Sequence, residues 1–122
     1  MKITALETLR LEEFPNIIWV RLHTDEGIVG LGESFFGAST IEEHLHATAA
    51  PILLGKDPLE IERRGKELIG YLGWRSTGAE SRGNSAIDIA LWDIFGKAHN
   101  RPIYQMLGGR SRDKIRIYNT CA

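Results

Sequence analysis

The stretch Gly83–Gly109, GNSAIDIALWDIFGKAHNRPIYQMLGG, decides the fold. Its first half repeats apolar residues at helical spacing: Ala86, Ile87, Ala90, Leu91, Ile94, Phe95 and Ala98. Positions recurring every three to four residues form one wide stripe on a helix. Asn84 or Ser85 can offer a side-chain oxygen to the first free amides, Asn100 suits the closing position, and Pro102 stops any continuation. Within the stripe, Ala86 and Ala90 permit close approach by a neighbour, while Ile87, Leu91 and Phe95 supply area. Trp92 broadens the stripe, and Asp88 and Asp93 lie beside it, so the helix expects neighbours on most sides. A chain of 122 residues can hardly surround such a helix and also bury two sheet faces, which points to partner structure.

Upstream, residues 1–12 predict a strand, with Ile3, Ala5, Leu9 and Leu11 on one parity and Leu6 and Glu7 blurring the alternation. Phe14-Pro15-Asn16 interrupts, because Pro15 cannot join a central ladder. Ile17–Thr24, rich in Ile, Trp and Val, is a second strand. Thr24–Gly27 is a short turn with Gly27 at positive φ, and Ile28–Glu33 returns as a third strand, giving an antiparallel meander. Gly27, Gly30 and Gly32 reverse the order of a phosphate-binding glycine motif and do not open a helix. They serve as turn and close-packing residues instead.

Between meander and long helix the sequence predicts two more helices. Ser39 or Thr40 caps the first, with Glu42 or Glu43 at capping-box spacing. Ile41, Leu45, Thr48, Ala49 and Ile52 form its apolar side, and Pro51 should bend or end it. His44 and His46, two residues apart, do not share a helix face and suit a solvated pair better than a metal site. Asp57 caps the second helix, followed by Pro58 and Glu60. Ile61, Leu68, Ile69 and Leu72 should be buried, with Arg63, Arg64, Lys66 and Glu67 on the wet face. Tyr71–Arg82 is a glycine-containing connection, centred on Trp74 and Arg75, which suit either clamping an anion or covering a sheet edge. After the long helix come a short helical turn at Pro102–Leu107, a charged link at Arg110–Lys114, and a final strand over Ile115–Tyr118. This order is α+β: a three-stranded antiparallel meander followed by a helical bundle on one side.

Composition narrows the function classes. The chain is 43% hydrophobic and 25% charged, with 15 basic and 16 acidic residues and a net charge of −1. No basic surplus supports nucleic-acid binding by counterion release. No apolar run approaches the ~20 residues needed to cross a bilayer, and MKITALETLR lacks the apolar core of a signal peptide. The single cysteine, Cys121, gives no internal disulfide and suits a reducing, cytoplasmic setting as a small buried hydrophobe.

The run Ser85–Lys97, with Asp88, Trp92, Asp93, Gly96 and Lys97, continued by Pro102, Leu107, Gly108 and Gly109, resembles the helix of the mandelate racemase and muconate-lactonizing group of the enolase superfamily. Thr24–Glu33 resembles that group's hairpin. The resemblance implies an α+β capping domain over residues 1–113 and, at 114–122, the start of a (β/α) barrel whose remainder is missing, since a barrel needs roughly 250 residues. It further implies Mg²⁺ bound by the barrel domain and not by this chain, abstraction of the proton α to a carboxylate, and a small carboxylate or acid-sugar substrate. Dehydratase and racemase outcomes are both compatible. The implied partners are the barrel of the same parent chain and further copies in a homo-oligomer. The isolated chain is then expected to be inactive.

No catalytic or metal ligand is assigned here, because Asp88 and Asp93, five apart on a helix, point in different directions. The resemblance places the loops after the first and third strands over the substrate: Phe14, Pro15 and Asn16, then Ser34, Phe35 and Phe36. Trp74, Arg75 and Asn119 are further substrate-binding candidates. The three Phe residues suit plain loop anchoring equally. Two other readings stand beside this one: a non-enzymatic α+β oligomerisation or ligand-binding module, and a complete small enzyme with Glu33 as base assisted by His44 or His46.

Overall fold

The computed structural model describes residues 1–71 and 77–119. Leu72, Trp74, Arg75 and Cys121 therefore lie outside the described residues. The three strands are β1 (Ile3–Leu9), β2 (Ile17–Thr24) and β3 (Val29–Phe35), paired antiparallel in the order β1-β2-β3. Alternation along β2 is strict: Ile18, Val20, Leu22 and Thr24 are buried, while Trp19, Arg21 and His23 face the wetter side. A half-covered sheet requires this period of two. In β1 the parity expected from the sequence fails. The register shifts between Ile3 and Ala5, so Ile3 is buried, Ala5 is exposed, and Leu6 is the residue packed on the core. A bulge inserts one residue and exchanges the faces beyond it.

Helices cover the sheet's buried face. They are α1 (Ala38–His44), α2 (Ala50–Leu53), α3 (Ile61–Ile69), α4 (Gly78–Ala98) and α5 (Ile103–Met106). A π-helical turn, Leu45–Ala49, joins α1 to α2, with the Ala50 amide bonded to the Leu45 carbonyl. Pro51 explains it. Its ring would collide with the carbonyl four residues back in a regular helix and it has no N–H to give, so a widened turn lets the helix run on to Leu53. α1 starts after Gly37, with no side-chain cap from Ser39 or Thr40. Glu42, expected in a capping box, instead accepts from the Thr8 hydroxyl at 2.9 Å and pairs with Arg10 at 2.9 Å, tying β1 to α1.

α4 is longer than the sequence predicts. It begins at Gly78 behind Thr77, so Asn84 and Ser85 lie inside it rather than at its cap. The Ser85 hydroxyl donates to the Ser81 carbonyl, an interior back-bond. The other end closes as expected: Asn100 has φ 50°, its amide bonds to Lys97 O and that of Arg101 to Gly96 O. This is the double bond of a Schellman closure.

The core is one cluster in which Ile18, Val20 and Leu22 of the sheet meet Ile41, Leu45, Leu53 and Leu68 and the α4 residues Ala86, Ile87, Ala90, Leu91 and Ile94. Each large aliphatic chain buried there contributes about 1.5–3 kcal/mol. α4 lies directly on β3 because both are small at the crossing. A Cβ at Gly30 would come 2.2 Å from Ala90 O, and one at Gly32 1.9 Å from Ala86 O. Asp93 and Lys97 then finish the free edge of β3. The carboxylate accepts from the Leu31 amide at 2.8 Å, and the ammonium donates to Val29 O at 2.7 Å and to Asp93 at 2.6 Å. The pair thus takes the place of a fourth strand and blocks edge pairing.

Three expectations from the sequence are corrected. Arg64, placed on the wet face of α3, is 1% exposed and held between Glu60 at 2.8 Å and Glu67 at 3.1 Å. It sits three residues after Ile61 and four before Leu68, which puts it on the buried stripe. Ile69, expected inside, is off that stripe and 42% exposed. Ile115–Tyr118, expected to form a final strand, joins no ladder among the described residues, and Ile115, Ile117 and Tyr118 are exposed. A strand takes its hydrogen bonds from a neighbouring strand, and among the described residues none pairs with this segment. Among the described residues, no helix is long and apolar enough to cross a membrane.

Candidate functional site

The two loops singled out from the sequence meet at one end of the sheet. Ile17 faces Phe35 and Ile18 faces Ser34 across the β2–β3 ladder, so the chain entering β2 and the chain leaving β3 emerge together. The Phe36 amide donates to Asn16 O at 2.8 Å, joining the loops directly. In the first loop, amides of Phe14 and Ile17 bond to Leu11 O and Phe14 O, turns compatible with Pro15. Phe14 packs edge-on to Trp19, their ring centres 6.5 Å apart. In the second loop Phe35 and Phe36 meet edge-to-face at 6.5 Å.

These rings form an exposed rim: Phe14 is 44%, Phe35 60% and Phe36 65% exposed. Ser34 is half-buried. Phe36 has φ 71° and is followed by Gly37 at 85°. Two successive left-handed residues reverse the chain into α1, and an aromatic side chain in that region stores roughly 1–3 kcal/mol of strain. Sequence reasoning missed one member, Arg82. Its guanidinium carbon lies 5.5 Å from the centres of both Phe35 and Phe36, and it donates to Phe35 O at 3.2 Å. The signal that could have found it is an earlier start of α4, which turns Arg82 from a loop residue into a helical one. Asn119 lies exposed in the segment after α5, which has no regular secondary structure, and Trp74 and Arg75 fall outside the described residues.

The other polar candidates do not converge. Glu33 accepts from the Trp19 indole at 2.7 Å on the outer sheet face. His44, expected to be solvated, is 8% exposed with Nε2 2.9 Å from Asn84 Oδ1, because α4 extends far enough back to cover it. His46 meets the Thr8 hydroxyl at 2.9 Å. Three groups with three separate partners do not make a base and its assistant. Asp88 lies in an open groove between α3 and α4 lined by Leu68, Ile69, Asn84 and Ile89. Partial burial, then the charge of Glu62, hold its carboxyl above the ordinary carboxylate value. Asp93 is already engaged by Leu31 and Lys97. Among the described residues, no group of three or more His, Cys, Asp or Glu is gathered closely enough to hold a metal ion.

A second exposed region flanks α4. Leu31, Ile89, Trp92, Ile103 and Leu107 line an apolar hollow of about 580 Å³ beside the Asp93–Lys97 pair. Asp93 and Lys97 on its wall are already engaged with each other and with β3, and the rest of the lining is largely apolar, which suits packing against further structure better than chemistry.

Known proteins agree with this geometry. The family model described as mandelate racemase / muconate lactonizing enzyme, N-terminal domain, matches residues 4–108. A D-mannonate dehydratase of Novosphingobium aromaticivorans is 36% identical over 120 residues, covering 97% of this chain and 30% of its own length. The chain therefore spans under a third of that relative. An enolase of the mandelate racemase subgroup from Agrobacterium tumefaciens superposes with a TM-score of 0.90 at 63% identity, over 95% of this chain and 32% of that one. An enolase from Pantoea ananatis, solved with bound D-gluconate and Mg, matches with a TM-score of 0.84 at 34% identity, over 92% of this chain and 28% of that one. The chain belongs to the mandelate racemase / muconate lactonizing enzyme family, of which it carries the N-terminal domain.

Proposed function

We propose that this chain is the substrate-covering, specificity-determining domain of a Mg²⁺-dependent acid-sugar dehydratase. Residues 1–113 form the cap and residues 114–122 lead into a barrel that holds the metal and the base. The observation that carries this reading is the aromatic rim, in which two loops from one end of the sheet present Phe14, Phe35 and Phe36 outward. Exposed rings on short, hydrogen-bonded loops exclude water when they close over a polar ligand, and the electrostatic forces beneath them lengthen in reach. The apolar hollow beside α4 supports the same reading, as a surface suited to a second domain. The reaction class rests on the relative named D-mannonate dehydratase and the neighbour holding D-gluconate and Mg. Location in the cytoplasm and assembly as a homo-oligomer belong to the same proposal.

This chain's residues would select and enclose the substrate. In this reading the base and the metal ligands belong to the barrel, so the isolated chain is expected to be inactive. Dehydration removes the proton on C2, releases the C3 hydroxyl as water, and leaves an enol that tautomerises to the 2-keto-3-deoxy acid. The test is turnover by the full-length protein on a panel of aldonic and aldaric acids with Mg²⁺, read by 2-keto-3-deoxy acid formation. Product from one or a few acids supports the proposal. Racemisation or epimerisation without water loss, or no turnover of any acid sugar, overturns the dehydratase reading.

A further inference from the structure

Arg82 stands at the rim without an acidic partner. Arg10, Arg21, Arg63, Arg64 and Arg110 each pair with a carboxylate, whereas Arg82, like Arg101, Arg112 and Arg116, forms no ion pair among the described residues; of these four, Arg82 is the one stacked against the rim's aromatic rings. Of its five N–H donors, the described contacts engage one, on Phe35 O. Its guanidinium carbon sits 5.5 Å from each of two ring centres, a contact that fixes a weakly hydrated cation without neutralising it. Phe36, whose backbone lies in the left-handed region at φ 71°, carries the second of these rings. A cation stacked, anchored at one corner and left without a counter-charge is suited to an anion from outside the domain.

We propose that Arg82 reads the distal carboxylate of a diacid sugar, so that the substrate class is the aldaric rather than the aldonic acids. This rests on the capping role proposed above. In a six-carbon acid sugar, the carboxylate next to the reacting carbon lies at one end of the chain. The other end is a neutral hydroxymethyl group in an aldonic acid and a second carboxylate in an aldaric acid. A residue on the cap's rim meets the end remote from the chemistry. The fork of a guanidinium matches a carboxylate with two parallel hydrogen bonds, while a hydroxymethyl group offers a single neutral oxygen.

The test compares kcat/KM of the full-length protein for aldaric and aldonic acids of matched configuration, in the wild type, Arg82→Met and Arg82→Lys. The wild type should favour the diacid. Arg82→Met should lose about 10–100-fold more on the diacid than on the monoacid, with partial recovery of that difference in Arg82→Lys. A merely structural Arg82 would lower both substrates together, and that result overturns the proposal. So does a wild-type preference for the monoacid, which needs no variant and decides the matter even if Arg82→Met does not fold. Turnover of monoacids alone leaves the dehydratase reading standing while this inference fails. Turnover of neither class removes both.

Discussion

Replacing Gly32 by alanine tests how α4 is seated on the sheet. The added Cβ would lie 1.9 Å from Ala86 O and 2.8 Å from its carbonyl carbon. Both obstacles are backbone, so no side-chain rotation relieves them. Ordinary contact begins near 3.4 Å, so strand and helix must separate by about 1.5 Å in a close-packed interior. That movement pulls Asp93 from the Leu31 amide, now 2.8 Å away, and opens the layer between Val20 and Ala90. Overpacking costs about 1–3 kcal/mol in general, and a clash with backbone on both sides belongs at the top of that range. At roughly 4–8 °C per kcal/mol for a domain near this size, the melting temperature should drop by about 12–24 °C. The control is Gly27→Ala, in the β2–β3 turn, where nothing lies within 4 Å and only the φ of 78° is unfavourable. Its cost should be about 1–2 kcal/mol. Thermal and urea melts of both variants are the assay. A Gly32→Ala protein no less stable than Gly27→Ala would refute the close backbone seating of α4 on β3.

Leu91 is 1% exposed in the core, so Leu91→Ala should cost about 2–5 kcal/mol in urea unfolding; a smaller loss would place the residue at a boundary instead. Asp93→Ala removes the acceptor of the Leu31 amide at an exposed edge, where water can replace it. Stability should therefore fall by only about 1 kcal/mol, while hydrogen exchange at Leu31 should accelerate, and unchanged exchange would argue against the edge clamp. Asp88 has a carboxyl raised by partial burial and by Glu62. The folded state then holds its proton more tightly than the unfolded state does. Stability falls as pH rises from the ordinary carboxylate range through the raised value, and stays lower above it. Asp88→Asn should raise the urea midpoint at neutral pH and flatten that slope, and an unmoved neutral midpoint would contradict it.

The fold was legible where a single period dominates. β2 alternates strictly, the α4 stripe repeats at helical spacing, and Asn100 and Pro102 mark a closure that the structure forms. Gly30 and Gly32, read as packing glycines, prove to be where two backbones touch. What was not legible depends on neighbours. The bulge at Ile3–Ala5 exchanges the faces of β1, and no local propensity announces it. α4 begins six residues before the expected cap because tertiary packing outweighs the capping preference of Asn84 and Ser85, and that extension buries His44 and brings Arg82 to the rim. The burial of Arg64 was available from its spacing with Ile61 and Leu68, and was masked by reading charge before position. Of the candidate site, the meeting of the two loops follows from hairpin topology, whereas the strained backbone at Phe36 and the cation beside it are tertiary facts.

Hydrogen exchange of the full-length protein, with and without an acid sugar and Mg²⁺, reports most directly on the role assigned to the rim. Amides of residues 10–16 and 35–37 should become protected together when ligand is bound, because the two loops share the Phe36–Asn16 bond and close as one body. Tight ligand binding that leaves both loops exchanging as in the free protein would contradict a substrate-covering role for this domain.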